Sequence, residues 1–397
     1  MTTHQDIIVI GAGISGLSLA HYAARAGLQS LVLESSDRPG GTLSSHRFDD
    51  FWLELGAHTC YNSYQSLLGL LDDCQLTGKL QGRAKAPFRL WSGQQVKSIP
   101  SQLGFIELLL HAPRLLTEKK SGQTVASYYS RIVGRNNYRR LFAHAFSAVP
   151  SQEADDFPAE MLFKKRARRK DVARSFTLEG GLQTITDTLA AQQGVQVLTG
   201  QRVSSLQRNG DLFQVDTAAG DRYTAPRLGL AVPPPVAADL LAAIAPQVTR
   251  PLRQIALAEV DSLGVVVEKD QLSMDAVAAL IATDDAFFSA VSRDIAPHGR
   301  YRGFTFHFKP DALDPDQQRQ RAGAVLGVEP AAFAEVAQRR NQVPSPRLGH
   351  ADLVAEIDAG LTGQPLLLSG NYFAGLSIED CVQRSAAEWK RLLEKKA

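Results

Sequence analysis

The start of the chain most constrains what it can fold into: Ile7-Ile8-Val9-Ile10 runs straight into Gly11-Ala12-Gly13-Ile14-Ser15-Gly16. Four consecutive apolar residues suit a short strand buried on both faces. The three glycines then have separate duties. Gly11 permits a tight turn, Gly13 lets backbone come close to a pyrophosphate, and Gly16 lets the next helix pack on the strand. That helix is expected over Ile14 to Ala26, ended by Gly27, with its N-terminal N–H groups and dipole turned towards negative charge. Leu31-Val32-Leu33-Glu34 reads as a second strand. Glu34 stands about 20 residues beyond the turn, where a carboxylate accepts hydrogen bonds from ribose hydroxyls. Together these predict a βαβ unit that holds the ADP part of a dinucleotide.

The rest of the chain must do something else, because 397 residues, 44% of them hydrophobic, exceed what a single core serves. Two domains are expected. The formal net charge of +2 speaks against nucleic acid as a partner. Cys60, Cys74 and Cys381 are odd in number and scattered, which predicts a reducing compartment, no disulfide framework and no metal site. No signal region precedes the first strand. Glu107, His111 and Arg114 interrupt the apolar stretch Leu103 to Leu116, and three prolines and Asp239 interrupt Leu228 to Ala245. A cytoplasmic protein without a transmembrane span is the expectation.

Further along, Phe88 to Trp91 and Gln95 to Ile99 read as strands around Ser92-Gly93, with amphipathic helices after Ser101. Glu179-Gly180-Gly181 opens a helix to Leu189, and Val195 to Leu198 and Leu212 to Val215 read as strands around an Asn209-Gly210 hairpin turn. Strands are expected at Gln254 to Val260, Gly264 to Glu268 and Arg302 to Phe308, and an alanine-rich helix at Pro330 to Arg340. Leu366 to Ser369 is a last buried strand and Glu379 to Glu394 a closing helix.

Pro39-Gly40-Gly41-Thr42 adds a second glycine pair near the pyrophosphate, more than NAD requires, and points to FAD. With Phe51-Trp52-Leu53-Glu54-Leu55-Gly56-Ala57-His58 and the C-terminal Ser369-Gly370-Asn371 to Gly375-Leu376-Ser377-Ile378-Glu379-Asp380-Cys381, the chain resembles the FAD-dependent protoporphyrinogen oxidase branch of the monoamine oxidase-like flavoproteins. The resemblance implies an α/β fold in which a Rossmann-like FAD domain of the GR2 type is interwoven with a mixed sheet-plus-helix substrate domain. FAD-binding parts are expected at 1–80, 176–250 and 351–397, a helical substrate part at 81–175 and a sheet part at 251–350.

By the same resemblance Gly11, Gly13, Ser15 and Gly16 cradle the pyrophosphate, continued by Gly41 and Thr42, and Glu34 holds the adenosine ribose. Leu55, Gly56, Ala57 and His58 run beside the flavin, Val203 meets the adenine through its backbone, and Gly370 and Ile378 lie near the ribityl chain and the pyrimidine edge. The implied reaction is protoporphyrinogen or coproporphyrinogen dehydrogenation, with hydride transfer to flavin N5 and electrons passed to oxygen or a quinone. No side chain is assigned as catalytic base. Two departures bear on the site: the family's basic residue after the glycine pair is Thr42 here, and its tryptophan before a Gly-His pair is Arg339.

Lys164-Lys165-Arg166-Ala167-Arg168-Arg169-Lys170 has six basic residues in seven. It suits the propionates of a porphyrinogen or a peripheral contact with an anionic membrane face, or it is a solvated helix face. Arg89 and Lys97 are further carboxylate-binding candidates. His58 either touches flavin or substrate or serves as a structural donor; Tyr61 and Tyr64 line a pocket or pack. A flavin amine oxidase, a polyene desaturase and a non-catalytic flavin-binding module remain as alternatives, though Gln254 to Val260 lacks the lysine that the resemblance implies for an amine oxidase.

Overall fold

The computed structural model describes residues 3–56 and 58–394; Ala57, expected beside the flavin, lies outside them. Its organising element is a parallel sheet ordered 195–198, 30–33, 7–10, 228–230 and 366–368. The strand Ile7–Ile10 is central, so both its faces must be apolar. Ile7 and Val9 enter one core with the helices Ile14–Arg25 and Ile378–Glu394, while Ile8 and Ile10 enter another with Pro234–Leu241, Thr249–Gln254 and His350–Leu361. Period-two alternation in a strand buried on both sides produces this three-layer arrangement.

A seven-stranded mixed sheet is ordered 333–344, 257–268, 301–308, 287–292, 279–282, 88–92 and 95–98. One face presents Leu263, Val265, Val267, Phe304, Phe306 and Phe308 to the helix Pro315–Leu326. The other presents Gly264 and Gly303 to Phe51, Leu53 and Leu55, where a Cβ at either glycine would come within 3 Å of those side chains. This bare strip lets the sheet settle on the segment that leads to His58.

Three local expectations are corrected. Residues Phe333–Pro344 form an edge strand rather than a helix, paired antiparallel with Leu257–Glu268 from Leu257↔Pro344 to Val267↔Phe333. Alanine raises helix propensity here by tenths of a kcal/mol per residue, and a twelve-residue ladder outweighs it. The helix of this region is Pro315–Leu326, opened by an Asp314/Gln317 capping box and closed by left-handed Gly327. Leu257–Glu268 is one strand, not two, with Gln254 ending the helix before it. The Asn209-Gly210 hairpin joins Val203–Asn209 to Leu212–Thr217, whereas Val195–Leu198 is the edge of the parallel sheet.

Candidate functional site

At the end of the first strand two of the three glycines answer to the protein's own packing. A Cβ on Gly11 would lie 2.5 Å from the Ala231 carbonyl oxygen, and one on Gly16 1.9 Å from that of Gly11. Gly13 differs. Its φ of −73° suits any residue, and a Cβ there meets nothing nearer than Gly41 Cα at 3.8 Å. Nothing within the chain demands a glycine at this position, so its bare backbone is kept for a ligand. The second glycine pair stands opposite: Gly40 bridges to Gly13, and its N–H donates to the Ala12 carbonyl at 2.8 Å.

Glu34 Oε2 accepts from Ala12 N at 2.7 Å, and Oε1 from Ser36 N at 2.9 Å, which sets the carboxylate beside this turn. The main-chain N–H of Gln201 donates to the Glu34 carbonyl at 2.7 Å and brings the strand that starts at Val203 alongside. Ser15 is buried at the helix start, and its carbonyl accepts from Ser385 Oγ, which also bonds Ser369 Oγ. Gly370 therefore follows a strand end tied to the first turn of that helix.

Two guanidinium groups converge on the glycine pair. Arg339 NH2 donates to the Gly41 carbonyl at 2.8 Å, and Arg38 NH2 to the same oxygen at 3.3 Å. Burial and the charge of Arg38 hold Arg339 below its ordinary range. A cradle of bare glycine backbone faced by two cations fits a dinucleotide pyrophosphate. The strand that replaced the expected helix thus supplies the positive charge missing at Thr42.

Beyond the cradle, the His58 ring folds back over Gly56 and bonds the Thr42 carbonyl through Nε2 at 3.1 Å. That acceptor fixes the proton on Nε2. Burial keeps the imidazole below the usual histidine range, hence neutral at pH 7. Glu54, next to Leu55, is enclosed. Burial pushes its carboxyl up to about 7 against the hydrogen bonds from Leu182 N and Ser45 Oγ. A folded-state pKa raised above the unfolded 4.5 means folding is opposed by ionisation as pH rises from 4.5 through 7. The difference is worth about 3 kcal/mol at ~1.36 kcal/mol per unit. Glu54→Gln, nearly isosteric, is therefore expected to gain melting temperature relative to the parent at pH 9 but not at pH 5, as scanning calorimetry at the two pH values would read.

His58 also lines a cavity of about 540 Å³, within the usual range for small-molecule sites. Its wall includes Tyr61, Tyr64, Phe157 and Leu162, the helix start at Ile378, and Ser289 of the mixed sheet. Five basic side chains border it, Arg83, Lys164, Arg166, Arg168 and Arg174, with Asp380 the one carboxylate among the described residues. Asp380 forms a capping box with Ser377, whose Oγ accepts from Asp380 N at 3.2 Å. It also binds Lys164 at 3.0 Å and Arg166 at 2.7 Å. Burial opposes ionisation of Asp380, but the Ser377 bond and the two cations hold its carboxyl below the ordinary range. Neighbouring Glu379 reaches elsewhere and caps the helix Gln65–Asp73 through Ser66 N and Leu67 N at 3.0 and 2.9 Å.

The expected basic run is thus placed differently from its reading. Residues 164–169 form no helix; Lys164 and Arg166 line the cavity already paired with Asp380, Lys165 is exposed outside its lining, and Arg89 and Lys97 do not line it either. Three of the five, Arg168, Arg174 and Arg83, meet no carboxylate among the described residues, and the half-buried one of these is Arg83. Its NH1 donates to Thr59 Oγ1 at 2.7 Å, its Nε is buried with no partner, and burial pulls it below the ordinary range. A lone arginine in a polar loop carries no periodic signal, so sequence reasoning passed over it. Arg339 had a signal, as a noted departure from the family pattern.

The family described as flavin containing amine oxidoreductase matches residues 14–273. The coproporphyrinogen III oxidase of Mycobacterium tuberculosis is 26% identical, covering 96% of this chain and 95% of that protein. The "Probable flavin-containing monoamine oxidase A" of Dictyostelium discoideum is 24% identical over 60% of this chain, which spans about three fifths (59%) of that relative's length. Among solved structures, a provisionally assigned protoporphyrinogen oxidase from Exiguobacterium superposes with a TM-score of 0.80 at 18% identity, covering 99% of this chain and all of that one.

Proposed function

The chain belongs to the flavin containing amine oxidoreductase family, and from that premise we propose that it is an FAD-dependent dehydrogenase of a carboxylate-bearing porphyrinogen, with oxygen or a quinone as final acceptor. The observation that carries this reading is Arg83, a half-buried cation that meets no carboxylate among the described residues and keeps a partnerless buried Nε, in a cavity wall where basic side chains outnumber the single carboxylate. The similarity to a coproporphyrinogen III oxidase along nearly the whole chain supports it.

On this reading 1–80, 176–250 and 351–397 hold FAD, and 81–175 and 251–350 form the substrate side. When bound, FAD supplies the two-electron oxidation. Gly13 and Gly41 leave room for the pyrophosphate, Arg38 and Arg339 offset its charge, and Glu34 takes the ribose. Arg83, oriented by Thr59, holds a substrate carboxylate, while Tyr61, Tyr64 and Phe157 enclose the apolar ring system. None of the described residues in the cavity wall is poised as a base, since Asp380 is bound by two cations and burial disfavours proton uptake by His58. The excess of positive charge disfavours cationic amines, which argues against amine oxidation.

Anaerobic mixing with coproporphyrinogen or protoporphyrinogen is expected to bleach the flavin, and admitting air to yield fluorescent porphyrin faster than autoxidation does. If neither porphyrinogen reduces the flavin, the tetrapyrrole reading falls. Reduction by a primary amine instead would establish the amine oxidase alternative.

A further inference from the structure

The helix Phe105–His111 is turned inside out. Its polar residues face the protein: the Glu107 carboxylate accepts from Asn136 N and Asn137 N at 2.9 and 3.0 Å, and His111 Nδ1 bonds the Arg131 carbonyl at 2.9 Å. Leu108 packs on the neighbouring helical core, but its other apolar residues face outwards, with Phe105 62% exposed, Ile106 80%, Leu109 76% and Leu110 74%. The turn that follows adds Leu115 and Leu116, the latter 90% exposed. Single exposed leucines are ordinary, but six large apolar side chains within twelve residues form a patch of the kind that marks an interaction site. Because hydrogen bonds fix the inward face, the outward one is a built feature of the fold.

The surroundings are cationic. Between residues 111 and 140 the one acidic residue is Glu118, which is paired with Arg131 at 3.4 Å, while Arg114, Lys119, Arg135 and Arg139 are exposed. We propose that residues 105–120 dock on an anionic lipid bilayer, with the leucines and Phe105 entering the headgroup boundary and the basic residues meeting lipid phosphates. Charge decides for lipid over a second copy of the chain: a symmetric pair sets the same patch against itself and opposes cation to cation. The patch lies on the membrane and does not cross it, since none of the described helices is long and apolar enough to span. It adjoins the cavity rim, because Lys120 Nζ donates to the carbonyl of Leu162 at 3.0 Å, and Leu162 and the exposed Phe163 line the cavity. This places the contact on a surface other than Lys164–Lys170, and it stands whether or not the substrate is a porphyrinogen.

The test is co-sedimentation of the full chain with phosphatidylcholine vesicles and with vesicles in which roughly a third of the lipid is phosphatidylglycerol. The parent is expected to bind the anionic vesicles several-fold more tightly, and less so in high salt. The double variant Leu109→Gln, Leu110→Gln is expected to lose on the order of tenfold or more in partitioning. It should keep its melting temperature, because both side chains are exposed. Lys165→Glu with Lys170→Glu should bind like the parent. The proposal is overturned if the parent ignores both vesicles, if the leucine variant binds as the parent does, or if the patch instead drives concentration-dependent dimerisation that the variant abolishes.

Discussion

Gly13→Val is expected to give a folded, colourless protein. The position tolerates a side chain as far as the chain is concerned, since its φ is −73° and a Cβ meets only Gly41 Cα at 3.8 Å. The branched side chain instead fills the gap between the two glycine pairs, where the pyrophosphate lies against main-chain N–H groups. Losing two charge-assisted hydrogen bonds at about 1.5–3 kcal/mol each weakens binding on the order of 100-fold or more. Circular dichroism should remain parental while absorbance near the flavin bands disappears and apoprotein no longer takes up FAD in titration. Gly16→Val makes the contrast, because its Cβ would overlap the Gly11 carbonyl oxygen at 1.9 Å and should cost the fold itself. A yellow Gly13→Val protein with parental FAD affinity would remove the cradle from the cofactor site.

Arg83→Gln is expected to raise KM for a porphyrinogen by roughly 10- to 100-fold with little change in kcat, the size of one lost charge-assisted bond of about 1.5–3 kcal/mol. Since Arg83 serves no carboxylate among the described residues and its Nε has no partner, removing its charge leaves no buried charge unpaired, and only the Thr59 hydroxyl loses a donor. The effect should persist at high salt, because a part-buried pair is screened less than an exposed one. Lys165→Glu provides the opposite case and should leave KM almost unchanged, as its side chain is exposed and outside the cavity lining. Steady-state kinetics of the two variants in parallel decides. Equal KM values for parent and Arg83→Gln would show that the carboxylate is held elsewhere.

The two groups of expectations fared differently for a physical reason. Ile7 to Glu34 was legible because its defining interactions, the pairing of Ile7–Ile10 with Ser30–Leu33 and the bond from Ala12 to Glu34, lie within about thirty residues, and glycine spacing, apolar run and acid are local signals. Pro330 to Arg340 was misread because its state depends on a partner some eighty residues away. The open edge of Leu257–Glu268 recruits it as a strand, and local alanine content has no bearing on that edge.

The amino-acid sequence by itself determined the dinucleotide-binding unit, the doubly buried strands of the parallel sheet and the positions of the glycines, since these follow from period, composition and spacing alone. Only the tertiary structure decided which charges are available. Lys164 and Arg166 share the one carboxylate of Asp380, more than two hundred residues downstream, while Arg83 meets no carboxylate among the described residues and Arg339 reaches Gly41 from a distant strand. Only the tertiary structure, too, turned the apolar face of Phe105–His111 outwards, by engaging Glu107 and His111 with the backbone of the next helices. A charge is spent or free according to its neighbours in space, and a helix face is inside or outside according to what it meets; neither is a property of the local sequence.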